Sequence, residues 1–269
     1  MNGYTDTHCH LNLNLFQNDL SEVLERAYQN GIERILVPGI DLETSRRAIQ
    51  LCETYPNLYA AVGIHPNDCL TWQKESLGEL RSMATSQHVV AIGEIGLDYY
   101  RNFGPAALQK EIFLAQLTLG EEVQKPVIIH LRNSLPDLWQ ILLSWHQSLI
   151  DHHSPLASRP GVLHSYSGDL ETALQAIERG FMIGISGLVT FKNSKEMQAL
   201  VCHLPLQNIL IETDAPYLTP HPFRGLRNEP GYVTLVAEKI ALLLNRPVIE
   251  IGQITTTNAK RIFGWRTND

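Results

Sequence analysis

Val89-Val90-Ala91-Ile92-Gly93-Glu94 is apolar on both faces of an extended chain and stops at a carboxylate. A strand with one wet face alternates polar and apolar residues. This one does not, which suits a parallel strand packed inside and covered by helices outside. Ile35-Leu36-Val37 and Val127-Ile128-Ile129 have the same character. Working outward, eight short β-branched runs are expected as strands: Gly3–His8, Glu33–Pro38, Leu58–Ile64, Val89–Ile95, Pro126–His130, Gly161–Ser165, Phe181–Ile185 and Asn208–Asp214. Helical stripes fall between them. Leu20, Val23, Leu24 and Ala27 form one; Leu108, Ile112, Ala115 and Leu119 another; Leu170, Ala173, Leu174 and Ile177 a third. Asp169 reads as an N-cap and Gly180 as a stop. A helix through Val233–Leu244 and a last short one around Ile249–Phe263 close the chain. The pattern predicts an α/β fold: a (β/α)8 TIM barrel forming a single domain over residues 1–269. A doubly wound open sheet is the structural competitor, although the Gly-rich turn of its dinucleotide-binding form is missing after the first strand.

The composition narrows the function. A net charge of −7 argues against a basic face that coats nucleic acid nonspecifically. It leaves open a phosphodiester gripped locally by metal ions and a few arginines. No apolar run approaches the ~20 residues of a membrane span, and the N-terminus lacks the basic and apolar stretches of a signal peptide. The expectation is a cytoplasmic protein with no membrane association and no obligate protein partner. Cys9, Cys52, Cys69 and Cys202 are widely spaced and are expected to be reduced.

The functional face of such a barrel lies at the C-terminal strand ends. The chain places metal-competent residues there repeatedly. His8 and His10 share one side of the first strand; His65 ends the third, Glu94 the fourth, His130 the fifth, His164 the sixth and Asp214 the eighth. Any one histidine taken alone is more often a hydrogen-bonded core residue than a ligand. Together, inward-facing imidazoles and acids are costly to bury without a compensating cation. Four histidines and two carboxylates suit two divalent ions about 3.5–4 Å apart, sharing one carboxylate. Glu94 is the natural bridge. One ion takes His8, His10, Glu94 and Asp214; the other takes Glu94, His130 and His164.

The chain resembles the TatD family of metal-dependent deoxyribonucleases, within the amidohydrolase-like barrels, over nearly its whole length. The matching stretches are Asp6–Leu11, Gly63–Pro66, Gly93–Tyr99, Pro126–Arg132, His164–Gly168, Glu212–Leu218 and Arg224–Pro230. The resemblance implies a barrel, divalent metals at those six ligand positions and 3′–5′ exonuclease action on DNA. Ser165-Tyr166 replaces the family's frequent Cys-Phe, Asn133 stands where a smaller or acidic residue is common, and Asp151–Pro160 reads as an enlarged loop.

The residues then suggest roles. Asp214 serves as ligand and proton acceptor together. Glu212, two residues deeper, holds a histidine ligand or a water, or is a buried structural ion pair. His65 is not needed to complete either ion and is assigned to a phosphate oxygen or the leaving group. Arg132 and Arg224 are assigned to the substrate phosphate. Mg²⁺, Mn²⁺ and Zn²⁺ all suit the mixed ligand set. The partner expected is DNA, single-stranded or at its 3′ ends. A metal-dependent amidohydrolase or lactonase on the same barrel is the rival reading.

Overall fold

The computed structural model describes residues 3–101 and 103–265. Residues 1, 2, 102 and 266–269 of the expected single domain lie outside that range. Eight parallel strands follow one another around a barrel in sequence order: β1 Tyr4–Asp6, β2 Ile32–Pro38, β3 Leu58–Val62, β4 Val89–Asp98, β5 Val127–Arg132, β6 Gly161–Leu163, β7 Met182–Ile185 and β8 Ile209–Ile211. The helices between them are α1 Leu20–Gln29, α2 Leu42–Thr54, α3 Ser76–Met83, α4 Ala106–Glu122, α5 Leu135–Asp151, α6 Leu170–Glu178 and α7 Lys195–His203; α8 Val233–Leu244 and α9 Val248–Phe263 follow β8. The expected (β/α)8 barrel is the fold, and the open-sheet alternative falls away.

The ring closes between β8 and β1 without a regular ladder. A single parallel bridge joins Cys9 and Ala215, and three backbone bonds flank it: Thr7 N–H to Ile211 O, Asp214 N–H to His8 O and His10 N–H to Ala215 O. The Asp6 carboxylate completes the seam. Its Oδ1 accepts from the Thr213 and His8 amides (2.9 and 3.3 Å), and its Oδ2 accepts from the Thr213 hydroxyl at 2.5 Å. Burial pushes the Asp6 carboxyl up to about 8, against the lowering effect of these bonds.

The lumen explains which residues reach the mouth. Leu36, Ala61, Ala91, Ile128, Val162, Met182 and Leu210, one from each of β2 to β8, pack together with Ala259, Ile262, Phe263 and Trp265 from the end of the chain. The C-terminal helix, within one residue of its expected bounds, thus plugs the barrel floor. Side chains alternate along a strand, so the residue two positions beyond a floor residue also faces inward, one layer higher. That places His130 above Ile128, His164 above Val162 and Glu212 above Leu210.

Several boundaries differ from the sequence reading. β1, β6 and β8 are three residues each, so His8, His10, His164 and Asp214 lie just past the strand ends, while β4 runs on to Asp98. Asp151–Pro160 contains a 3-10 turn at Pro155–Ser158, capped by Ser154, with Leu156 fully buried. Asp169 caps α6 through the Thr172 amide, and Gly180 follows at φ 85°, as expected. The α4 stripe is displaced: Gln109 and Gln116 are buried while Ala115 is only partly so. Each glutamine pairs with both backbone groups of one residue at a strand end. Gln116 accepts from Ile64 N–H (2.7 Å) and donates to Ile64 O (3.0 Å). Gln109 does the same with Asp98, at 2.9 and 3.1 Å. The two amides satisfy backbone that β3 and β4 leave unpaired and hold the segments carrying His65 and Asp98.

Candidate metal centre

His8, His10, His65, Glu94, His130, His164 and Asp214 converge at the mouth. Glu94 lies at the middle, 3% exposed. Its two oxygens face different partners. Oε2 is 3.2 Å from His8 Nε2 and 3.5 Å from His10 Nε2. Oε1 is 2.9 Å from His130 Nδ1, 3.6 Å from His65 Nε2 and 3.8 Å from His164 Nε2. Asp214 Oδ1 closes the first side, 3.4 Å from His10 Nε2 and 3.9 Å from His8 Nε2. Asp214 holds φ 57°, a left-handed conformation that aspartate tolerates better than most residues.

Three sets of potential ligand atoms each fall within 4.8 Å: His8, His10 and Glu94; His8, His164 and Asp214; His65, Glu94 and His130. The expected partition puts His164 with Glu94 and His130. Its Nε2 is equidistant, 3.8 Å, from Glu94 Oε1 and Asp214 Oδ1, so it stands between the two sides. Its ring also stacks on His8 at 3.5 Å.

The donor geometry fits a divalent cation. The Nε2 atoms of His8 and His10 approach to 3.1 Å. Two ligand nitrogens at ~2.0–2.1 Å from a tetrahedral ion are separated by about 3.4 Å. His8 Nδ1 and His10 Nδ1 are buried with no hydrogen-bond partner among the described residues, so no neighbour pulls either ring away from that point.

Neighbouring groups decide which nitrogen of each remaining histidine is free. Asp98 Oδ2 accepts from His130 Nε2–H at 3.1 Å, leaving Nδ1 directed at Glu94. Glu212 Oε1 lies 2.9 Å from His164 Nδ1, leaving Nε2 for the centre. The same oxygen accepts from the Ser165 amide at 2.5 Å. Carboxylates behind ligand histidines fix the tautomer and raise the basicity of the ligating nitrogen. Gly184 makes room for Glu212; a Cβ there would sit 2.7 Å from Oε2. His65 is held the opposite way. Its Nδ1 accepts from the Asn67 amide (3.0 Å), so the neutral ring carries its proton on Nε2, the atom facing Glu94. That makes it a donor toward the centre rather than a lone-pair ligand.

Electrostatics follow the same division. Burial raises the Glu94 carboxyl, but His8, His65 and the bond with His130 outweigh it, and the net shift is well downward. Burial likewise opposes, and the bond from His130 with the Arg101 amide overcomes, in lowering Asp98. Burial would depress His164, yet the Glu212 charge beside it, with Glu94 and Asp214, carries it up to about 10. Burial, then the neighbouring His130 charge, depresses His65 to about 3.

The two assigned arginines stand apart from this cluster. Arg132 ends β5, exposed, its guanidinium 4.0 Å from the Tyr100 ring; Arg224 is exposed in the loop after β8, 3.6 Å from the Phe191 ring. Neither has a carboxylate within ion-pair reach among the described residues. Arg227, by contrast, is tied to Asp19 and Glu229. Asp98 is the residue to which sequence reasoning gave no role. No signal in the sequence marked it, because its partner His130 arrives on the neighbouring strand.

Imidazoles and carboxylates converging at the C-terminal mouth of a (β/α)8 barrel define a metal-dependent hydrolase. The TatD-related DNase family profile matches residues 5–264. The uncharacterized metal-dependent hydrolase YabD of Bacillus subtilis is 43% identical over 258 residues, 96% of this chain and 98% of that protein. The 3′-5′ ssDNA/RNA exonuclease TatD of Pectobacterium parmentieri is 35% identical over 254 residues, covering 92% and 94%. The crystal structure of YJJV, a TatD homologue from Escherichia coli, superimposes with a TM-score of 0.90 at 32% identity, covering 98% of each chain. The chain belongs to the TatD-related DNase family and is a metal-dependent hydrolase. No helix among the described residues is long and apolar enough to cross a membrane.

Proposed function

We propose that this chain is a phosphodiesterase that shortens DNA from 3′ ends, acting on single strands, with two divalent ions (Mg²⁺, Mn²⁺ or Zn²⁺) at the barrel mouth. The observation carrying this reading is the division of Glu94, one oxygen toward His8 and His10 and the other toward His130, as a carboxylate bridging two cations would be disposed. His8, His10, Glu94 and Asp214 would hold one ion; Glu94, His130 and His164 would hold the other. Bound divalent ions supply a hydroxide at neutral pH and neutralise charge on the phosphate oxygens.

The chain's own groups do the rest. Asp214 accepts the proton of the attacking water. His65, neutral and protonated on Nε2, donates a hydrogen bond to a phosphate or leaving oxygen. Glu212 and Asp98 hold the rings of His164 and His130. Arg132 and Arg224, free of carboxylate partners among the described residues, take the flanking phosphates, and they favour a phosphodiester over a lactone or amide. The relative named as a ssDNA/RNA exonuclease supports the same substrate class.

The test is to incubate metal-loaded protein with end-labelled single-stranded DNA and, in parallel, with a lactone panel. Stepwise shortening from the 3′ end is expected, and it should be lost in Glu94→Ala and Asp214→Ala proteins that remain folded. Lactone turnover with the DNA intact would select the rival hydrolase reading.

A further inference from the structure

Two exposed aromatic rings stand on loops at opposite sides of the barrel mouth. Strands four apart in a ring of eight face each other, so the loops after β4 and β8 stand across the mouth. Tyr100, two residues past the end of β4, is 58% exposed. Tyr217, in the loop after β8, is 52% exposed.

Both rings are fixed. Tyr217 follows Asp214 by three residues, and its amide donates to Asp214 O at 2.8 Å. Its ring stands edge-on to His10 at 6.2 Å. The buried Asn228 side chain donates to both Tyr217 O (2.6 Å) and Thr213 O (2.9 Å), which pins this loop to the segment carrying Asp214. Across the mouth, the Tyr100 amide donates to Asp98 Oδ1, the carboxylate that also holds His130. The Arg132 guanidinium covers the Tyr100 ring at 4.0 Å. An arginine stacked on a tyrosine offers a cation to a phosphate and a plane to a base.

Building on the phosphodiesterase reading, we infer that Tyr217 and the Tyr100–Arg132 pair are stacking platforms for the unpaired nucleobases on either side of the phosphate at the centre. A stretched strand laid from β8 to β4 passes over Glu94 and Asp214, with one base on each platform. Every base has a flat face, so the site is tolerant of sequence. It requires bases free of a partner strand, and it discriminates against a backbone that lacks them.

The experiment compares metal-loaded wild type with Tyr217→Ala, Tyr100→Ala and Tyr217→Phe. The substrates are a short oligothymidylate and the same strand with abasic residues at its last two 3′ positions. Stacking contributes ~1–3 kcal/mol per base and two bases are removed, so wild type should favour the base-bearing strand in kcat/KM by about thirtyfold or more. That ratio should fall by about fivefold or more in each alanine protein, whatever the absolute rates, and persist in Tyr217→Phe, which keeps the ring. In stopped-flow binding, 2-aminopurine at the 3′ terminus should be quenched in wild type and less so in the alanine variants. Strand cleavage with a ratio and quench unchanged by either alanine overturns the stacking assignment alone. A wild-type protein that shortens neither strand overturns the nuclease reading and this inference with it.

Discussion

Replacing Asp98 with asparagine should weaken one metal site while leaving the fold in place. Among the described residues, Asp98 is surrounded only by donors: the Tyr100 and Arg101 amides on Oδ1 (both 2.9 Å), and Asn67 Nδ2 and His130 Nε2 on Oδ2 (3.2 and 3.1 Å). In Asp98→Asn the amide oxygen stays on the two backbone N–H groups, which keeps the loop intact. The new NH₂ then points at Asn67 and His130. Asn67 adapts by turning over, because its Oδ1 is buried without a partner. His130 has no such freedom. To accept from the introduced NH₂ it must move its proton to Nδ1, the nitrogen directed at Glu94, and so it gives up the lone pair a cation would use. Loss of such a supporting partner costs ~10–100-fold in metal affinity, or about 1.4–2.8 kcal/mol. Titration calorimetry of chelator-stripped protein with Zn²⁺ or Mn²⁺ should show one site near its wild-type affinity and the other weakened by that factor, with an unchanged unfolding midpoint without metal. Wild-type affinity at both sites would show that Asp98 does not set the His130 tautomer.

Gln116→Ala should destabilise the protein by about 2–6 kcal/mol in urea unfolding, because it strands a buried N–H and C=O of Ile64 at roughly 1–3 kcal/mol each; a change under about 0.5 kcal/mol would mean water replaces the amide. Glu212→Gln should retain most metal affinity, since one amide oxygen still accepts from Ser165 and stays beside His164 Nδ1, whereas Glu212→Ala should lose at least about tenfold; equal affinities in the two proteins would reduce Glu212 to a packing role. Metal uptake should release protons and strengthen with pH. His164, lifted from an ordinary value near 6.5 to about 10, contributes stability to the metal-free fold that is fully present below about pH 6.5 and disappears as pH rises through 10. A cation displaces that proton, so the rise in melting temperature on adding metal should be larger at about pH 9 than at about pH 6, and an equal rise at both would contradict it.

How far the sequence could be read depends on whether a residue obeys its strand's own period. The apolar runs marked the strands because lumen and outer face are both dry, and the period of two then carries inward-facing positions upward from the floor: Ile128 to His130, Val162 to His164, Leu210 to Glu212. Glu94 does not follow. It lies three residues beyond the floor residue Ala91, and the β4–β5 register shifts between Ile92 and Ile95, so its residue type was legible but its geometry was not. Asp214 is likewise past β8, turned inward by a left-handed backbone that no alternation rule describes. The glutamines of α4 were unreadable for the opposite reason: polarity assigns them to solvent, and only the unpaired backbone of a distant strand end makes burying them favourable. The same holds for Asp98, whose role exists only because His130 arrives on the neighbouring strand with one nitrogen to spare. In this barrel the ligands were therefore visible as residue types at strand ends, while the groups that choose their tautomers were set by cross-strand contacts; Asp98→Asn separates the two layers because it alters the second without touching the first.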